Sequence, residues 1–132
     1  MNSKQYAYMN RSVRPSVSEI AAGLEKKFEI TCLARDREKL KLYRAICGVI
    51  AKVMIIPPEC YIVVNKMPTY ASDVQAVYEK LTSAEIEWVA EKYCAQKDRI
   101  QNPHEWMRTT LYNSPEDMEL DLLNQVLTDW GG

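Results

Sequence analysis

Glycine is scarce in this chain, four residues in 132, and phenylalanine and histidine occur once each. So few glycines build no phosphate-cradling loop, and no G-x-S-x-G or H-E-x-x-H pattern occurs. The four cysteines, Cys32, Cys47, Cys60 and Cys94, form no C-x-x-C pair, and His104 alone does not complete a metal site. No metal, cofactor or small-molecule substrate is expected. The thiols read as buried, reduced packing residues of a cytoplasmic protein. Cys94 and His104 could be paired on paper as nucleophile and base, but Cys94 borders the apolar face of its helix, so packing is the expectation and no enzyme is predicted. Long apolar runs are also missing. "AICGVIAKVMII" is broken by Lys52 and halted by Pro57-Pro58, and the N-terminus has no apolar signal core, so no membrane partner is expected.

An excess of one charge sign is lacking too: 17 Lys/Arg stand against 18 Asp/Glu, a net charge of −1. The balance conceals a split. Residues 1–56 hold 11 Lys/Arg and 5 Asp/Glu, giving +6, and residues 57–132 hold 6 and 13, giving −7. Either two surfaces of opposite potential result or the halves neutralise each other across the fold.

What is present is helical punctuation. After a polar leader, residues 1–15, Ser16 can cap a helix with Val17, Ile20, Ala21, Leu24 and Phe28 on one face. Asp36 can cap a longer helix to Met54, with a wide stripe centred on Tyr43, Cys47 and Ile50 that places it centrally. "CYIVV" reads as a strand over 60–64, followed by a turn at Asn65. Ser72 or Asp73 can start a short helix through Leu81, and Thr82 with Glu85 forms a capping box for the next, to about Ala95. Asn102-Pro103 starts another, ended by Ser114-Pro115, where a last helix begins with Met118, Leu122, Leu123, Val126 and Trp130 as its apolar face. The expected fold is mainly α, a single domain over 16–132: a compact bundle of about five helices with one short strand or hairpin.

The segment "KLTSAEIEWV" together with "IQNPHEWMRTTLYNSP" carries a resemblance. Lys80-Leu81, Ser83, Glu85, Ile86, Trp88 and Val89, then Ile100, Asn102, Trp106, Met107, Leu111 and Tyr112 to Pro115, resemble the C-terminal domain of RepA-N-type replication initiators of plasmids and conjugative elements. More loosely, "LEKKFEITCLARDREKLKLYRAICGVIAKV" is similar to the segment before it. The resemblance implies a fold like the DnaD C-terminal domain and a replication accessory role, with DNA, possibly single-stranded, or a host replication protein as partner. It does not extend to the family's winged-helix part, so origin reading is not implied.

Two constellations could carry such contacts. On the 104–112 helix, His104, Arg108 and Tyr112 share a face with Glu105 and Thr109, opposite Trp106, Met107 and Leu111. Arg108 could pair a phosphate or a carboxylate while His104 and Tyr112 offer planes for stacking. On the long helix, Arg37, Lys41, Arg44 and Lys52 form one polar stripe kept low by Gly48 and Ala51, which could track a phosphate backbone. The competing readings are solvated faces, with Arg108 held by Glu105 or a C-terminal acid and the stripe neutralised by Asp117 and Asp121. A protein-interaction or oligomerisation module without nucleic acid is the alternative function.

Overall fold

The structure, a computed structural model, describes residues 15–131, so the expected leader lies outside it except for Pro15. Among the described residues there are six helices and one hairpin: α1 (Val17–Lys27), α2 (Ile30–Leu33), α3 (Arg37–Met54), β1 (Tyr61–Val64), β2 (Met67–Tyr70), α4 (Ala71–Glu79), α5 (Ser83–Cys94) and α6 (Pro103–Gly131). The expected mainly helical bundle with a short hairpin is what the chain forms.

Local chemistry sets the helix starts. Side-chain oxygens of Ser16, Asp36 and Asn102 accept from the amides of Glu19, Lys39 and Glu105 at 3.1, 2.8 and 3.1 Å, each satisfying an orphan donor of a first turn. Thr82 and Glu85 form the reciprocal capping box at α5. At the other end of α3, the Gln75 amide donates to the carbonyls of Val53 and Ile56 at 3.0 and 2.7 Å, closing the helix before Pro57-Pro58.

Helix α3 is the axis of the domain and packs against every other helix. Its Ile46, Cys47, Ile50, Ala51 and Val53 are essentially inaccessible, and they meet Phe28, Ile30, Val74, Tyr78, Leu81, Ile86, Val89 and Leu111 in one core. A wide apolar arc on one helix can be covered only by neighbours on several sides, which is why it runs through the middle. Helix α1 buries nothing fully within its own span; its anchor is Phe28, just past its last turn.

The hairpin pairs Tyr61 with Tyr70, Ile62 with Thr69, Val63 with Pro68 and Val64 with Met67. Its two-residue turn places Asn65 at φ 53° and Lys66 at φ 62°, the left-handed pair whose twist matches that of the strands. Pro68 donates nothing to a ladder, and a two-stranded sheet has an open edge where that is tolerated.

Three expectations are corrected. Pro115 does not start a new helix: α6 runs unbroken through it for 29 residues. A proline lacks the amide that would bond the carbonyl four residues back, and Ser114 supplies the replacement, its Oγ donating to the Leu111 carbonyl at 2.8 Å inside the core. Second, Leu122, Leu123, Val126 and Trp130, expected as an apolar packing face, are exposed. Third, only Cys47 is a buried thiol; Cys32, Cys60 and Cys94 are exposed, because they sit in the short α2, before β1 and at the last position of α5 rather than inside a packed face.

Candidate functional site

A cleft of about 280 Å³ opens between the C-terminal half of α3, strand β1 and the start of α6. Val49, Val53, Ile56, Ile62 and Val63 make its apolar floor and walls, and Lys52, His104 and Arg108 supply its polar groups. These residues come from three separate stretches of chain. Lys52 reaches the cleft because it faces outward from α3 one residue after the fully buried Ala51 and one before the buried Val53. His104 and Arg108 lie one turn apart on α6, so both point to the same side.

The α6 side of the cleft is held firmly. The hydroxyl of Tyr78, buried in the core, donates to the Arg108 carbonyl at 2.7 Å. Burial pushes that hydroxyl well above its ordinary value of 10.0, against the opposing positive charge of Arg108, so it stays protonated and keeps donating. At the hairpin turn, the Asn65 amide nitrogen of the backbone donates to Thr109 Oγ1 at 3.0 Å. The side-chain amides of Asn65 and Asn113 exchange two hydrogen bonds, at 3.1 and 2.7 Å. The Arg108 Nε leans toward the Val63 carbonyl at 3.5 Å, a long contact that leaves most of its guanidinium donors unused. Among the described residues no carboxylate lies within ion-pair distance of Lys52 or Arg108.

The predicted site residues divide. His104, Arg108 and Lys52, expected on two different surfaces, meet in one cleft. Tyr112 does not line it: its ring is half-buried and packs on the core. The remaining stripe cations lie elsewhere on α3. Arg44 bonds Glu25 of α1 at 3.2 Å, and Lys41 stands 3.6 Å from Glu38. Arg37 is exposed at the first turn of α3. Ala51, read as part of the stripe, is buried. Neutralisation therefore comes from Glu25 and Glu38. Asp121, one of the two acids considered for it, is engaged on α5 instead, where Trp88 Nε1 donates to it at 3.3 Å and Lys92 lies 3.8 Å away. The same contact leaves Trp88 half-buried under α6, with Lys92 over its ring.

Sequence reasoning missed the hairpin's share of the cleft. Ile62 and Val63 are visible as strand residues, but nothing local shows that the Asn65 turn folds back onto Thr109 and Asn113, 44 and 48 positions later. Among the described residues no three His, Cys, Asp or Glu side chains come together as a metal-holding group, and no helix is long and apolar enough to cross a membrane. No protein-family model, curated protein or solved structure matches the chain.

Proposed function

We propose that the chain is a non-enzymatic DNA-replication accessory module of a mobile element, and that the cleft takes single-stranded DNA. The observation that carries this is that Lys52, Arg108 and His104 line one cleft together with the apolar Val49, Val53 and Ile62. Cations pair phosphate oxygens, and an apolar floor beside them accepts a base face, the combination that single-strand binders use. Duplex tracking along α3 is the weaker fit. Arg44 and Lys41 already have carboxylates beside them, which leaves Arg37 and Lys52, at opposite ends of the helix, as its unpaired stripe cations among the described residues. The replication context rests on the motif likeness at Lys80-Leu81 and at Asn102 to Pro115.

The test is fluorescence anisotropy with labelled single- and double-stranded oligonucleotides over a salt series. Two or three neutralised phosphates give a slope of log affinity on log salt of about −0.7 per phosphate for single strands. Lys52→Glu with Arg108→Glu should abolish binding, while Arg37→Glu should leave it nearly intact. No binding, or binding indifferent to salt, refutes the proposal. The protein-interaction alternative is favoured by the partial neutralisation of the α3 stripe, and it predicts that salt-indifferent outcome with a protein partner.

A further inference from the structure

The far end of α6 carries a second surface. Leu120, Leu123 and Leu127 are 56, 49 and 64% exposed, and Trp130 is 84% exposed, the most open large apolar side chain among the described residues. Their spacing of three, four and three is that of a coiled-coil seam, with Val126 widening it on one side. At 100° per residue this seam points about 170° away from the direction in which Met107, Leu111 and Ser114 enter the core. The same rotation keeps Asp121 on the body side, where it meets Trp88 and Lys92. Each of these side chains is left open by the rest of the domain, so the seam is directed outward and needs a different cover.

We infer that the cover is the same seam of a second copy, the two helices running antiparallel about a two-fold axis near Leu123 and Leu127. The area suffices: Leu120, Leu123, Val126 and Leu127 at roughly 100 Å² each and Trp130 at roughly 200 Å² give ~600 Å² per copy and ~1,200 Å² in the pair, the lower bound of a stable interface. Charge selects the direction. Residues 109–132 hold Glu116, Asp117, Glu119, Asp121 and Asp129 and no Lys or Arg, so the segment carries −5. Four of those five acids precede Leu122. Parallel helices would set the four against the same four, whereas antiparallel helices put the two groups at opposite ends, with Leu123 against Leu127 and Leu120 against Trp130 of the second copy. The seam faces away from the domain, so both bodies clear each other on opposite sides. This inference does not rest on the cleft or on nucleic acid.

Sedimentation equilibrium on the full chain tests it. At hundreds of micromolar the wild type should show twice 15.3 kDa and dilute to 15.3 kDa. Leu123→Glu with Leu127→Glu should stay at 15.3 kDa throughout, with unchanged helicity and melting temperature, since both side chains lie outside the core. Added salt should not weaken the pair, because its contacts are apolar and the charges beside them are all acidic. A cysteine appended after Gly132, with Cys32, Cys60 and Cys94 changed to serine, should form no intermolecular disulfide on oxidation. In the antiparallel pair the two copies of Trp130 stand roughly 15 Å apart along the axis at 1.5 Å per residue, on diverging chain ends, and a disulfide joins Cα atoms less than about 7 Å apart. A wild type that remains 15.3 kDa, a double variant that still pairs, weakening by salt, or ready crosslinking of the appended cysteine would each overturn the inference. The first three outcomes leave the DNA-binding proposal untouched.

Discussion

Ser114 and Pro115 make a paired device that a double-mutant cycle can open. Pro115 cannot bond the carbonyl of Leu111, and both Leu111 and Ser114 are fully buried, so no water can reach that oxygen. The Ser114 hydroxyl fills the vacancy at 2.8 Å. Ser114→Ala alone strands a buried acceptor and should cost about 1–3 kcal/mol, a drop of several degrees in Tm for a chain of this length. Pro115→Ala restores the backbone donor. It removes an interior proline penalty of about 3 kcal/mol and gives back part of that as unfolded-state freedom, so a net gain of about 1–2 kcal/mol is expected. In the Pro115→Ala background the alanine amide reaches Leu111, and Ser114→Ala should then cost under about 1 kcal/mol. Urea denaturation followed by far-ultraviolet circular dichroism gives all four free energies, and the expected coupling is about 1–2 kcal/mol. A Ser114→Ala cost equal in the two backgrounds within about 0.5 kcal/mol, the usual limit for independent sites, would refute the reasoning.

Other outcomes follow from single contacts. Gly48 lies inside α3 and an added Cβ meets nothing within 4 Å, so Gly48→Ala should stabilise by about 0.5–1 kcal/mol, read as a higher urea midpoint. Lys66 holds a left-handed conformation at φ 62°, so Lys66→Gly should be neutral or stabilising by up to about 1 kcal/mol in the same assay, where most turn substitutions would cost. Burial, with the negative charge of Glu25 second, pushes the Cys47 thiol from 9.0 up to about 12. The folded state therefore keeps a proton that the unfolded chain releases. Stability is undiminished by this group below pH 9 and falls as pH rises from about 9 to 12, at up to about 1.4 kcal/mol per pH unit. The raised Tyr78 hydroxyl adds to the fall above about pH 10. Urea midpoints at pH 8, 9 and 10 should show the decline, and Cys47→Ala should flatten its first part.

What was legible in the sequence was local. Ser16, Asp36, Thr82 with Glu85, and Asn102 announce their helices because a cap is written within four residues of the amide it satisfies. The stripe of α3 was legible because its period is fixed by helix geometry. The misreadings occur where distant residues decide. Ser114-Pro115 has the composition of a helix start, but the packing of Met107 and Leu111 on one side and the grip of Trp88 and Lys92 on Asp121 on the other carry the helix through. The leucines beyond residue 118 have helical periodicity, and periodicity does not say whether a core lies opposite. The second hairpin strand was hidden because it contains Pro68 and its turn, Asn65-Lys66, lacks glycine. Of the cleft, the polar residues were visible singly; their meeting depends on a hairpin folding onto α6, which no short window records.

The unbroken run from Pro103 to Gly131 makes α6 a rod about 43 Å long at 1.5 Å per residue. Arg108 and Leu123 sit on it about 22 Å apart, and the grips of Asn65 on Asn113 and of Trp88 and Lys92 on Asp121 fasten the stretch between them. What is left beyond Asp121 is nearly three turns of helix that stand clear of every other described element, so α6 finishes as a handle rather than as a packed strut.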